Sequence, residues 1–338
     1  MRSVGQPYSV SAPSVTALVA LLETAPEPPA SRIAAVRAER AALASLVTDL
    51  GCEALPSEGN FVLVRPPDAA RLHRSLAALG IGVRRFGSEP LTGWLRITVP
   101  GDDAAFSRLC DGLRTALAPD ALLFDMDGVL ADVSRSYRRA IVDTAASWDV
   151  TVTADDIAAA KAAGNATNDW DLTRRLLADR GVEAPLDEVT RRFERLYQGD
   201  GTTAGLYRTE SPRLDRDTLE RLAARWRLGV VTGRPRGDAE RFLDDHGLSD
   251  LFSTVVTMED APSKPDPAPV RLAMERIGAR HAWMVGDTPD DLRAARAAGV
   301  LPVGVPAPGD DSESARTVLL SAGAALVLDT PNDLEEVL

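Results

Sequence analysis

Between residues 31 and 50 the apolar positions Ile33, Val36, Leu43, Leu46, Val47 and Leu50 recur near a 3.6-residue period, with Ser31 before them and Gly51 after. That spacing predicts a helix capped by Ser31 and ended by the glycine. A short apolar run predicts a strand at 60–64, and helical spacing returns over 68–79 until Gly80 stops it. Strands at 81–86 and 94–98 and a helix over 102–117 complete this part as a small α+β unit. Pro26, Pro28 and Pro29 mark 23–31 as a connector, and Ala118-Pro119-Asp120 reads as a boundary between domains 1–117 and 118–338.

From Ala121 the pattern changes to apolar strands alternating with helical stretches. The strands fall at 121–124, 228–231, 252–256, 283–285 and 301–305. Such alternation predicts an α/β fold, a parallel sheet covered by helices. The interval between the first two strands is too long for one crossover. Helical spacing at 136–147, 154–163, 169–180 and 186–197 predicts an inserted helical cap over about 134–213.

Composition narrows the function classes. Apolar content of 45% is ordinary for a globular protein, and the formal net charge of −12 argues against nucleic acid or an anionic membrane as partner. No apolar run approaches the roughly 20 residues needed to cross a bilayer, so a cytoplasmic location is expected. Cys52 and Cys110 lack any zinc-ligand spacing. Lysine is nearly absent, with Lys161 and Lys264 the only two. A lysine that survives such depletion points to a chemical role that arginine cannot fill.

The predicted strands end on polar residues at the carboxyl edge, where open parallel sheets bind ligands. An aspartate after a strand is more often a turn former or helix cap than a catalyst. Asp125-Met126-Asp127-Gly128 carries more information, because two carboxylates spaced by two repel unless a cation or shared proton relieves them. Magnesium suits such all-oxygen ligands. Asp287, in Gly286-Asp287-Thr288-Pro289-Asp290-Asp291, faces the same edge, while Asp290 or Asp291 also fits a plain helix cap. Thr232-Gly233 offers a hydroxyl and backbone N–H groups to a phosphoryl oxygen, and Lys264 offers an ammonium.

The ordered stretches LLFDMDGVL, VVTGR, SKPDP and MVGDTPDD resemble the four motifs of the haloacid dehalogenase superfamily, over about 120–338. The resemblance implies a Rossmann-like core with a helical cap and an aspartyl-phosphate mechanism. Asp125 is then the nucleophile and Asp127 the general acid and base. It also implies Mg2+ on Asp125, the backbone carbonyl of Asp127, Asp287 and Asp291, with Thr232, Gly233 and Lys264 on the phosphoryl oxygens. Asp127 favours phosphatase over dehalogenase chemistry, since an alkoxide leaving group needs a proton.

Residues 1–117 resemble the small C-terminal domain of histidinol-phosphate aminotransferases, in GQPYSVSAPS, EGNFVLVRPPDA and WLRITVP. The resemblance makes Arg96 an anion ligand, although an arginine paired with a nearby acid explains it equally. A pyridoxal-phosphate enzyme needs a lysine for its Schiff base, and this third has none. It is expected to be either part of a longer fusion or a relic kept for packing or dimerisation.

Substrate choice is expected to fall to the cap: Ser134, Arg135, Tyr137 and Arg138 where it begins, and Lys161, Asn165, Asp169 and Trp170 further on. Asn168 also fits a helix N-cap, and Trp170 fits the core. The fusion to an aminotransferase-like segment suggests a small phosphorylated metabolite, histidinol phosphate, and a place in histidine biosynthesis. A phosphoglycolate-type phosphatase and a non-catalytic scaffold are the alternatives.

Overall fold

The computed structural model describes residues 11–24, 30–164, 166 and 168–338. Residues 5–10 of the first aminotransferase-like stretch, the prolines of the connector and the substrate candidate Asn165 lie outside the described residues.

Four antiparallel strands form the first sheet: β1 (Glu53–Leu55), β2 (Phe61–Arg65), β3 (Arg84–Arg85) and β4 (Leu95–Thr98), in the order β1-β2-β4-β3. Alternation along β2 and β4 buries Val62, Val64, Leu95 and Ile97 against Leu43 and Val47, Leu72 and Leu76, and Leu113 of the helices Ala30–Asp49, Ala69–Ala78 and Asp103–Leu117. Asp68 and Asp102 cap the latter two helices by accepting from the N–H groups of Arg71 and Ala105. The first of the three begins at Ala30, so Ser31 sits inside its first turn and does not cap it, and Ile33 is exposed. The predicted strand at 81–86 contracts to β3, a two-residue edge pairing with β4. Before residue 118, two described elements escaped prediction: β1, whose three residues are too short for a periodic signal, and the helix Ala12–Thr24, which buries no side chain.

The second sheet carries the site. Its first strand is β5 (Ala121–Phe124), followed by a small antiparallel pair, β6 (Ala131–Asp132) and β7 (Ser211–Pro212). The remaining strands are β8 (Arg227–Val231), β9 (Thr254–Val256), β10 (Ala282–Gly286), β11 (Leu301–Gly304) and β12 (Leu326–Val327). The six-stranded order β12-β11-β10-β5-β8-β9 is parallel throughout. The chain leaves β5 toward β8 and β9, then crosses back to β10 on the other side of β5. The reversal opens a crevice at the carboxyl ends of β5, β8 and β10. β9 begins two residues later than the pattern suggested, and the two-residue β12 gave no signal.

Between β6 and β7 the chain makes the helical excursion Tyr137–Ala146, Ala154–Ala163, Asp169–Ala178 and Leu186–Gln198. The last of these buries Val189, Phe193 and Tyr197, one face at i, i+4 and i+8, against the first. Asn168 is the N-cap of the third, accepting from the N–H groups of Trp170 and Asp171. Pairing of β6 with β7 brings both ends of the excursion together beside β5.

Contacts join the two sheets' layers. Trp283 Nε1 of β10 donates to the Thr115 carbonyl at 2.6 Å, and Thr115 Oγ1 lies 3.2 Å from His281 Nδ1. Arg71 donates to the carbonyl of Val337, and Ala78 joins the apolar core beneath the six-stranded sheet.

Candidate active site

Asp125 continues the ladder one residue past β5, its N–H donating to the Val285 carbonyl at 2.9 Å. The chain then folds tightly, with the N–H groups of Leu130 and Ala131 both donating to the Met126 carbonyl. Gly128 enables this turn with φ at +76°, and a Cβ there would stand 2.2 Å from Asp287 Oδ2. Glycine is therefore required by backbone and neighbour alike.

The Lys264 ammonium lies 2.7 Å from Asp125 Oδ1, 2.5 Å from Asp291 Oδ1 and 2.9 Å from the Val231 carbonyl. All three partners and Lys264 itself are buried or at a strand end, so the ammonium is held in one place. Asp291 belongs to a capping box at the start of the helix Pro289–Ala298, its Oδ2 accepting from Thr288 N and Oγ1. Asp290 points elsewhere, accepting from the Ala166 N–H of the cap and from Arg293.

One oxygen each from Asp125, Asp287 and Asp291 lies within 4.8 Å of the others. Asp287 Oδ1 is enclosed without a hydrogen-bond partner. Burial pushes the Asp125 carboxyl up to about 7, against the pull of Lys264 and with a further push from Asp291 and Asp127. Burial, then the charges of Asp291 and Asp125, raises Asp287 well above the usual range. Lys264 pairs directly with Asp125 and Asp291, while Asp287 feels Lys161 and Arg138 only at longer range and stays strongly perturbed. An orphaned oxygen and an all-oxygen donor set fit a hard divalent cation.

The side chain of Asp127 is not part of that cluster. It turns to Arg234, whose Nε donates to Asp127 Oδ1 at 2.6 Å. Thr232, buried just past β8, accepts from the Arg234 N–H at 3.1 Å. Gly233 lies between two small cavities. One is shared with Thr232, Thr257 and Lys264, the other with Tyr137, Asn168, Asp169, Trp170 and Arg234.

The cap candidates divide. Asp169 and Trp170 reach the cavity beside Gly233, as does Tyr137, whose hydroxyl also donates to Asp238 at 3.2 Å. Trp170 Nε1 donates to Glu194 at 3.0 Å. Lys161 pairs with Asp169 at 3.4 Å and opens onto a separate cleft of about 280 Å³ with Arg138, Asp287 and Asp310. Arg138 is locked to Asp310 by two bonds of 2.5 and 3.3 Å. Arg135 is exposed and lines neither space. Arg96 belongs to β4 of the first sheet, not to the sheet that carries this cluster, and lies over the Phe61 ring at 5.6 Å.

Two residues at the site went unassigned by sequence reasoning, Arg234 and Glu210, bonded to each other at 2.9 Å. Arg234 carried a signal in its place directly after Thr232-Gly233. Glu210 carried none.

Residues 119–299 match the family model described as haloacid dehalogenase-like hydrolase, and residues 1–113 match aminotransferase class I and II. The chain is 48% identical over 214 residues to imidazoleglycerol-phosphate dehydratase of Phytophthora nicotianae, a match covering 61% of this chain and 47% of that protein. It thus spans about half the length of that relative. It is 34% identical over 222 residues to phosphoglycolate phosphatase of Rhodospirillum rubrum, covering 62% of this chain and 87% of that one. Among solved structures, a hydrolase from Pseudomonas syringae superposes with a TM-score of 0.52 at 22% identity, over 64% of this chain and 96% of that chain. That likeness concerns the fold alone.

Proposed function

The chain belongs to the haloacid dehalogenase-like hydrolase family, and from that premise we propose that it is a magnesium-dependent phosphomonoester hydrolase with Asp125 as nucleophile. The observation that carries this reading is the meeting of Asp125 with Lys264 on one side and with Asp287 and Asp291 on the other. Residues 118–338 form the catalytic domain, with the cap at about 134–213, and residues 1–117 form an aminotransferase-like domain.

Mg2+ would be held by Asp125, Asp287 and the backbone carbonyl of Asp127, with Asp291 in support, and when bound would offset charge on the carboxylates and phosphoryl oxygens. Thr232, Gly233 and Lys264 bind the phosphoryl group. An Asp125 oxygen attacks phosphorus as the ester P–O bond breaks, and Asp127 delivers a proton to the departing oxygen. Asp127 then takes a proton from water as that water attacks the aspartyl-phosphate. Inorganic phosphate leaves, and the Asp125 carboxylate is regenerated.

Histidinol phosphate is the substrate we favour. Support comes from the aminotransferase match at residues 1–113 and from a relative whose name also joins an imidazole to a phosphate. Trp170 would stack on the ring and Asp169 would meet the ammonium, its charge shared with Lys161. A phosphoglycolate-type activity is the second reading, favoured by the Rhodospirillum rubrum relative. The lysine-free N-terminal third has no Schiff-base partner for pyridoxal phosphate, so no transamination is proposed for it. No helix among the described residues is long and apolar enough to cross a membrane, and we propose a cytoplasmic site of action.

Phosphate release tests both levels of the proposal. Asp125→Asn should fall below about a hundredth of the parent rate on any ester, because no neighbouring carboxylate can replace the nucleophile. Retained turnover would remove the assignment. The parent should show a higher kcat/KM on histidinol phosphate than on phosphoglycolate or sugar phosphates. Trp170→Ala and Asp169→Asn should erase that preference and leave a generic ester turned over. The opposite ranking would leave only the general phosphatase.

A further inference from the structure

Arg234 is among the largest fully buried side chains of the protein, with its side chain 1% exposed. Nε donates to Asp127 at 2.6 Å, and Nη1 donates to Glu210 at 2.9 Å. The planar guanidinium fixes the direction between these two bonds. Its faces are occupied as well, by the Tyr137 ring at 4.8 Å and the Phe242 ring at 5.4 Å.

Both ends of this arm are anchored. The Arg234 N–H donates to Thr232 Oγ1, and its carbonyl accepts from the Met258 N–H at 3.2 Å. Glu210 is buried, accepts from the Tyr197 hydroxyl at 3.1 Å, and immediately precedes β7, the strand that returns the cap to the core. By contrast Asp127 is 20% exposed and lies beside the turn at Gly128. Among the described residues, Arg234 is the side-chain partner the structure gives it.

A buried ion pair adds little net stability over apolar packing of the same volume, so stability alone does not account for it. Its geometry does have a consequence for chemistry. A general acid must lie within hydrogen-bond reach of the oxygen it protonates, and a carboxylate free to rotate at a glycine turn spends time out of reach.

We infer that Arg234 is a positioning residue, which aims the Asp127 carboxylate at the ester oxygen and is itself held by Glu210 at the cap's return strand. The inference rests on the acid–base role proposed above for Asp127. Arg234 touches neither phosphorus nor leaving group. Its effect appears only in the steps that move a proton: protonation of a poor leaving group, and deprotonation of water in the second half-reaction. An aryl leaving group departs without a proton, so the first half-reaction of an aryl phosphate is independent of it.

Rapid-quench and steady-state kinetics of the full chain with Mg2+ read this difference, using p-nitrophenyl phosphate and glycerol phosphate. In Arg234→Met, kcat/KM for glycerol phosphate should fall by about 100-fold, while kcat/KM for the aryl ester stays within about fivefold. The aryl ester should show a burst of p-nitrophenol followed by a slower steady state, as the aspartyl-phosphate accumulates. Asp127→Asn should give the same signature. Because Arg234→Met leaves the buried Glu210 without its ion-pair partner and can impair folding, Glu210→Gln serves as the second variant. It should move the ratio of the two kcat/KM values in the same direction, by about tenfold.

Equal losses on both esters in a folded Arg234→Met, or an unchanged ratio in Glu210→Gln, would overturn the positioning role. If Asp127→Asn itself fails to separate the two esters, the acid–base assignment falls and this inference falls with it. A discriminating Asp127→Asn beside a non-discriminating Arg234→Met removes the role of Arg234 alone.

Discussion

Asp260 shows what a single carboxylate can hold together beside the site. Its Oδ2 accepts from the Arg236 guanidinium at 2.6 Å and from the Thr257 N–H at 2.9 Å, and its Oδ1 accepts from Arg276 at 2.8 Å. The loop so fixed includes Thr257 and Met258, which line the small cavity beside Lys264. The Arg276 bond, outweighing partial burial and aided by Thr257 and Arg236, holds this carboxyl well below the usual range. The folded protein therefore releases the proton more readily than the unfolded chain. This stabilisation is complete above the unfolded value of about 4 and is lost as pH falls toward the folded value. Asp260→Asn should cost about 2 kcal/mol at pH 7, the scale of hydrogen bonds to a charged group. In urea melts the gap between variant and parent should shrink steadily below pH 4. A gap that ignores pH would show that packing, not charge, accounts for the loss.

At the scale of one element, the helix Pro289–Ala298 joins stability to chemistry. Its N-cap Thr288 accepts from Asp291 N, and Asp291 in turn receives the Thr288 N–H and hydroxyl. The same Asp291 is a member of the carboxylate cluster and a partner of Lys264. Thr288→Ala should lower stability by about 1 kcal/mol, the usual worth of such a cap. It should also weaken Mg2+ binding by about tenfold, because the cap fixes the orientation of a carboxylate in the proposed metal site. Calorimetric titration with Mg2+ checks the second part. Lost stability with unchanged affinity would mean that Lys264 alone holds Asp291 in place.

For the whole molecule, the question is what residues 1–117 do for the rest. Their polar contacts with the rest of the chain include Trp283 Nε1, near the start of β10, with the Thr115 carbonyl, and Arg71 with the carbonyl of Val337 in the C-terminal helix Leu334–Val337. A chain starting at Pro119 should lose that cover. Its thermal midpoint should fall by about 5 °C or more, as expected for a loss of about 2 kcal/mol in a domain of this size. Trp283 is 2% exposed in the full chain, so tryptophan emission should shift to the red. The kcat/KM on a generic ester should stay within about threefold. A truncated protein that folds well and has no activity would place part of the active site in the N-terminal third.

The sequence by itself determined the local structure of this protein and the members of its candidate site. Strands β5, β8 and β10 were legible because they are continuous apolar runs, and the Asn168 cap because a cap is a local bond. Asp125, Thr232, Lys264 and Asp287 were legible because each follows a strand or fills a rigid loop at one sheet edge. Only the tertiary structure decided which of these side chains meet. Lys264 reaches Asp125 across 139 residues of sequence, and Arg234 takes the Asp127 carboxylate out of the cluster across 107. It also set the partners of two neighbouring carboxylates, Asp290 meeting the Ala166 N–H of the cap and Asp291, already singled out by the resemblance, meeting Lys264. The physical reason is range. Periodicity and capping act over three or four residues, whereas an ion pair depends on where the sheet order and the cap bring distant chain segments together.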